Sequence, residues 1–313
     1  MGAQRFHAPA AERELRKTLE SGSVAATAAD FPPADWPSSE YSQVLSIGKI
    51  RWHYQRAGSG PVLLLLHGTG SSTHSWRGLL PRLVQHYTVI APDLPGHGFT
   101  HCKDKNAFTL PGMANAVADL LAQLECDPEM GVGHSAGAAL LIRMTLDDLL
   151  SPRIIIGLNA ALLPFGGVLT SAFQPMARLF ASLPVLPAML ARRAGQPGSV
   201  ERLIAGTGSR LGEQGISDYR QVLSREDHVA ATLAMMANWN LQTLLHEFRH
   251  HPVPLHLLVS SGDLTILPAQ ADRVRAICPG TQIQKIPGLG HLAHEEDPQS
   301  ISGLIRAIEQ SGD

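Results

Sequence analysis

Short apolar runs alternate with amphipathic stretches along most of the chain, the rhythm of strands joined by helices. Val62–Leu66, Thr88–Ala91, Met130–Val132, Ile154–Leu158, Leu255–Ser260 and Gln282–Ile286 read as strands. Ahead of them, Tyr41–Ser46 and Ile50–Arg56 flank Gly48-Lys49 and read as an antiparallel hairpin that opens the sheet. Helical periodicity covers Trp76–Gln85, Met113–Leu124, Ala136–Asp148, Pro268–Ile277 and Pro298–Glu309. The pattern predicts an α/β protein: a mostly parallel, eight-stranded sheet with helices on both faces.

The alternation breaks between about Ala161 and His251, where no convincing strand occurs. That interval lies between the sixth and seventh predicted strands and reads as an inserted helical cap, residues 161–251, on a core made of 40–160 and 252–313. Residues 1–39 read as an extension, with a helical pattern at Ala10–Leu19 followed by a linker rich in Ala, Pro and Ser. The interval carries Phe165, Phe173, Met176, Phe180, Met235, Met236 and Trp239. Amphipathic helices need apolar faces merely to pack, so most of these are expected in the cap's own core. The remainder, with Phe165, Met236 and Trp239 as the candidates and His67 opposite them, would line an apolar pocket.

Chemistry concentrates at the ends of the predicted strands. Gly133-His134-Ser135-Ala136-Gly137 follows Met130–Val132 and has the G-x-S-x-G spacing of a sharp strand-to-helix turn that exposes a serine hydroxyl. By itself this is a weak signal in a chain rich in Gly, Ala and Ser. Its context strengthens it. Val62–Leu66 ends in His67-Gly68-Thr69-Gly70, so the backbone N–H groups of Thr69 and Ala136 are candidate oxyanion donors. Gly262-Asp263 ends the Leu255–Ser261 run, and Gly288-Leu289-Gly290-His291 follows Gln282–Ile286. Ser135, Asp263 and His291 thus stand in the order nucleophile, acid, base. Each has an ordinary structural explanation as turn residue, helix cap or loop histidine, but the three together in this order do not.

Competing motifs are weaker. His246-Glu247-Phe248-Arg249-His250 satisfies H-E-x-x-H, yet Pro252 cuts the helix off where a zinc protease needs it to continue. Gly131-Val132-Gly133-His134-Ser135-Ala136 fits the degenerate dinucleotide fingerprint but follows a late strand, not the first. His294 is expected to support by hydrogen bonding near Glu295, and Asp93 to brace the turn that ends at Gly98. No metal or organic cofactor is required by this chemistry.

With these residues in place the chain resembles the α/β-hydrolases. Asp93-Leu94-Pro95-Gly96-His97-Gly98 matches that superfamily's D-x-P-G-H-G turn, and His291-Leu292-Ala293-His294-Glu295 is equally typical. The resemblance runs from about residue 40 to the end, leaving out the middle segment, and implies the α/β-hydrolase fold. An Asp nucleophile, as in epoxide hydrolases, is excluded at the elbow because Ser135 occupies it. One departure concerns Asp263: four residues separate it from Pro268, one more than is common in such proteins. Within the superfamily the chain resembles the magnesium-chelatase accessory proteins of bacteriochlorophyll biosynthesis. This narrower match rests on Asp35-Trp36-Pro37, His67–Gly70 through Thr73–Trp76, Gly206-Thr207-Gly208-Ser209-Arg210 and Met235-Met236-Ala237-Asn238-Trp239. It implies a tetrapyrrole substrate and an association with magnesium chelatase, as enzyme or as a non-catalytic carrier of porphyrin.

Composition narrows the partners. The 313 residues carry 25 Lys and Arg against 27 Asp and Glu, with no basic stripe to face nucleic-acid phosphates. Three cysteines, Cys102, Cys126 and Cys278, are too few for a disulfide framework, and Glu12–Glu20 is charged where a signal peptide would be apolar, so the cytoplasm is the expected compartment. No apolar run is long enough for a transmembrane segment, although Leu179–Ala191 is apolar enough to rest on a membrane surface.

Overall fold

The computed structural model describes residues 32–164, 183–249 and 251–311. The helical pattern at Ala10–Leu19, the pocket candidate Phe165, the apolar Phe173, Met176 and Phe180, and His250 lie outside the described residues.

The strands are β1 (Ser42–Ile47), β2 (Ile50–Ala57), β3 (Val62–Leu66), β4 (Thr88–Pro92), β5 (His101–Cys102), β6 (Met130–His134), β7 (Ile154–Leu158), β8 (Leu255–Ser260) and β9 (Gln282–Ile286). They form one sheet in the order β1-β2-β4-β3-β6-β7-β8-β9, with β5 beside β2. β1, β2 and β4 pair antiparallel, and from β4 through β9 along that order every pairing is parallel. The eight expected strands are present. The ninth, β5, adds two residues opposite Ile50 and Arg51, too short to leave a periodicity in the sequence.

The continuous leucines of β3 show why a central parallel strand reads as an unbroken apolar run: both of its faces are covered. Leu64 and Leu66 pack with α2 (Leu110–Gln123) and α3 (Ala136–Leu146) on one face. Leu63 and Leu65 pack with Trp76, Leu79, Ile301 and Ile305 on the other. Thr109 caps α2 by accepting the Gly112 N–H at 3.1 Å, with Pro111 in the first turn. The helix expected at Trp76–Gln85 is interrupted. A 3₁₀ turn at Thr73–Trp76 and the single turn α1 (Leu80–Leu83) replace it, because Pro81 restarts the helix and Gly78 lies where a Cβ would strike Pro298 at 2.6 Å.

Between β7 and β8 the described residues form α4 (Leu186–Ala194), α5 (Ser199–Gly206), α6 (Glu213–Leu223), α7 (Glu226–Asn238) and α8 (Leu241–Phe248), with no strand among them. α8 turns Leu241, Leu244 and Phe248 into the same core cluster as α3, and Glu247 pairs with Arg143 at 2.8 Å. The chain closes with α9 (Ala269–Ile277), α10 (Ala293–Glu296) and α11 (Pro298–Ser311). Ahead of the sheet, Trp36 is buried against Phe99 and Val222 and donates its indole N–H to Thr73 Oγ1 at 3.2 Å. All three cysteines are free, and no helix among the described residues is long and apolar enough to cross a membrane.

Candidate active site

Ser135 occupies the junction of β6 and α3 with φ 52° and ψ −114°. For a residue with a Cβ this backbone costs about 1–3 kcal/mol, and it persists only where its surroundings over-determine it. Here the Ser135 N–H donates to Leu158 O at 3.0 Å, and its carbonyl accepts the N–H groups of Ala138 and Ala161 at 3.2 and 3.1 Å. The flanking glycines are required by close approach. A Cβ at Gly137 would stand 2.0 Å from Leu66 O, and one at Gly133 would stand 2.4 Å from Ala138 N. The G-x-S-x-G spacing therefore reports how tightly α3 presses on β3 and β6.

Asp263 and His291 lie after the carboxyl ends of β8 and β9 and meet: Nδ1 of His291 is 2.8 Å from Asp263 Oδ2. The other carboxylate oxygen, Oδ1, accepts the backbone N–H groups of Thr265 and Ile266, each at 2.8 Å. The backbone after Asp263 thus turns round the carboxylate and fixes its orientation. With Nδ1–H donated to the carboxylate, Nε2 is the nitrogen left to accept a proton. Asp93 braces its own turn as expected, taking N–H bonds from Thr73 at 2.7 Å and Phe99 at 2.8 Å and a His53 ring bond at 2.7 Å. Burial alone would raise its pKa, but His53 and these donors outweigh it and hold the carboxyl well below the usual range.

A residue that the sequence did not single out ties these loops together. Asn159, buried with φ 45° at the end of β7, shares its amide N–H donors among Ser260 Oγ, Gly290 O and His291 O at 3.1, 3.0 and 2.9 Å. Its Oδ1 accepts the Ser260 N–H at 2.8 Å. A polar residue directly after a fully apolar strand is the available signal, and it does not tell which loops the side chain reaches. Asn159→Ala is expected to lower stability by about 2–3 kcal/mol, because several buried partners lose their bonds at once. A denaturant midpoint shifted by less than 0.5 kcal/mol equivalent would refute this role.

Ser135, Ala136 and His291 line one cavity of about 690 Å³ together with Gly68, Thr69, Met236 and Trp239. The N–H groups of Thr69 and Ala136 carry no hydrogen bond among the described residues. Most of the lining is apolar, and Arg202 is its only Asp, Glu, Lys or Arg among the described residues. His67 is not part of this lining and lies fully buried behind it. Its Nε2 accepts the Leu94 N–H at 2.9 Å and its Nδ1 contacts Gly68 O at 2.8 Å, while burial lowers its pKa and keeps it neutral. It braces the loop instead of facing the cavity.

His294 departs from expectation in a different way. Its ring is buried between Trp76 and His134, with neither nitrogen hydrogen-bonded among the described residues, and burial pulls its pKa down to about 3. It packs against the two rings instead of serving as a hydrogen-bonding support. Glu295 lies nearby as expected, its Oε1 3.9 Å from His294 Nε2, beyond hydrogen-bond reach. It pairs with Arg77 and accepts the Tyr219 hydroxyl of α6 at 2.8 Å, and burial pushes its pKa up to about 7 against the pull of Arg77. The H-E-x-x-H candidate puts His246 and Glu247 on α8, where Glu247 is engaged by Arg143. No group of three or more His, Cys, Asp or Glu among the described residues is placed to hold a metal ion.

The family model for the alpha/beta hydrolase family matches residues 63–302. The chain belongs to the alpha/beta hydrolase family. It is 37% identical over 277 residues to the magnesium-chelatase 30 kDa subunit of Rhodobacter capsulatus, covering 87% of this chain and 96% of that protein. It is also 24% identical over 271 residues to a 2-(acetamidomethylene)succinate hydrolase of Mesorhizobium japonicum, covering 85% of this chain and 94% of that one. Among solved structures, the epoxide hydrolase CorEH without ligand superposes with a TM-score of 0.73 at 21% identity, covering 85% of this chain and 97% of that chain. That likeness speaks to the fold alone.

Proposed function

We propose that the protein is a cytoplasmic serine hydrolase that cleaves an ester or related acyl bond of a bulky apolar substrate. One observation carries this reading: a serine held in strained backbone at a strand-to-helix turn opens onto the same cavity as a histidine already hydrogen-bonded to a fixed carboxylate. Ser135 Oγ attacks the acyl carbon while His291 Nε2 takes its proton. The same nitrogen returns that proton to the leaving alcohol as the tetrahedral intermediate collapses to an acyl-serine. A water molecule then repeats the sequence, and the freed acid leaves with Ser135 restored. Asp263 orients the imidazole and stabilises its charged form. The N–H groups of Thr69 and Ala136 receive the developing oxyanion, each such donor being worth roughly 3–4 kcal/mol of transition-state stabilisation. Labelling with a fluorophosphonate followed by peptide mass spectrometry tests the assignment, and an unlabelled, folded protein would refute it.

The cavity supports the substrate class. Its volume suits a drug-sized ligand, and Met236 and Trp239 supply apolar surface in the same cavity as Ser135, the methionine adaptably so. The similarity to the magnesium-chelatase 30 kDa subunit, which spans nearly the whole of that protein, makes a tetrapyrrole of bacteriochlorophyll synthesis the natural candidate, in association with magnesium chelatase. It also supports a second reading, in which the same cavity holds or delivers a porphyrin without turnover. Protoporphyrin is expected to quench the intrinsic fluorescence of the wild-type protein, and Trp239→Ala to weaken its binding. Fast turnover of short acyl esters with no porphyrin binding would sink the substrate assignment and leave the hydrolase reading standing.

A further inference from the structure

We infer that Thr207-Gly208-Ser209, at the end of cap helix α5, is a positioning element for the Asp263–His291 pair, so that the cap as well as the sheet sets where the general base sits. The inference rests on the serine-hydrolase reading of Ser135. Its basis is a set of bonds from this one segment to both loops. Thr207 O accepts two N–H groups, from Leu264 at 3.2 Å and from His291 at 3.3 Å: the residue after the carboxylate, and the base itself. Ser209 is buried, and its Oγ accepts the Leu292 N–H at 2.8 Å. Glu296 extends the join, taking Arg210 N–H at 3.2 Å on one oxygen and Gly290 N–H at 2.8 Å on the other.

Shape adds to the bonding. Gly208 has φ 82°, and a Cβ there would stand 2.0 Å from Gly262 O, just before Asp263. A Cβ at Gly290, just before His291, would stand 2.4 Å from Gly208 O and 2.5 Å from Ser209 N. The segment is therefore wedged between the two loops at backbone contact, and neither loop can shift without moving it or opening a gap. The N–H groups of Leu264, His291 and Leu292 have no other acceptor among the described residues, so losing the segment would strand three backbone donors beside the acid–base pair. Thr207 also lines the cavity, so the segment that bonds to both loops has one residue facing whatever the cavity holds. A misplacement of about 1 Å in such a site costs on the order of a hundredfold in rate.

The test compares Ser209→Ala, Ser209→Thr and Gly208→Ala with wild type by the second-order rate of fluorophosphonate labelling at Ser135, by kcat and KM on an aryl ester, and by amide hydrogen exchange. Ser209→Ala is expected to label about tenfold more slowly, with kcat falling in step and KM within twofold. Gly208→Ala should lose more, about a hundredfold. Ser209→Thr keeps the hydroxyl and should recover most of the rate. In Ser209→Ala the amides of His291 and Leu292 should exchange faster while the melting temperature changes little. Wild-type labelling rates in folded Ser209→Ala and Gly208→Ala would overturn the inference, as would a loss confined to KM. Should wild type itself resist labelling, the serine-hydrolase reading fails first, and unchanged protection of the His291 and Leu292 amides in Ser209→Ala then overturns the positioning role on its own.

Discussion

Ser135→Ala is expected to reduce turnover by about six orders of magnitude and to abolish fluorophosphonate labelling while leaving the protein folded. The size follows from the role: without Oγ there is no acyl-serine, and His291 and the oxyanion donors retain only the weak catalysis they give to direct attack by water. Alanine keeps the Cβ, and so keeps the strain of φ 52° and ψ −114°, which makes unchanged stability the expected companion result. Ser135→Gly separates strain from chemistry. It should be equally inactive, yet melt at or above the wild-type temperature, because relief of about 1–3 kcal/mol of backbone strain exceeds the roughly 0.5–1 kcal/mol entropic penalty of a glycine. A folded Ser135→Ala that kept even one per cent of wild-type turnover would remove Ser135 from the chemistry. A glycine variant clearly less stable than wild type would instead refute the claim that the elbow stores strain.

The placement of residues marked by local chain punctuation was legible. Asp263 and His291 follow apolar strands within glycine-bearing turns, and an end-of-strand position in a parallel sheet brings such residues to one edge however far apart they are in sequence. The same logic placed Asp93, whose D-x-P-G-H-G turn closes on its own carboxylate. What stayed illegible depends on contacts that leave no local period. β5 is two residues long and exists only because it lies along β2. His67 sits in the loop that faces the cavity, and only the bond from Leu94 N shows that its ring turns inward. Asn159 joins β7, β8 and the His291 loop, three pieces of chain whose meeting no window of sequence contains. Thr207-Gly208-Ser209 was visible as a motif, but its purpose lies in two loops more than fifty residues downstream.

Asp263→Asn is expected to lower kcat by about four orders of magnitude with little change in KM, and the hydrogen bonds round the carboxylate say why. Oδ1 receives the N–H groups of Thr265 and Ile266, so an asparagine placed there must point its carbonyl oxygen at those two donors. Its NH₂ then occupies the place of Oδ2, 2.8 Å from His291 Nδ1, and becomes a donor where the wild type has an acceptor. Nδ1 must accept, the ring proton moves to Nε2, and the nitrogen meant to take the Ser135 proton already carries one. Substrate binding involves neither atom, which is why KM should hold. Nitrogen-15 NMR of the imidazole checks the cause independently of rate, with the neutral ring expected to change from the Nδ1–H to the Nε2–H tautomer. A variant that kept the Nδ1–H tautomer, or lost less than tenfold in kcat, would show that the Asp263–His291 contact supports the loop and does not serve the reaction.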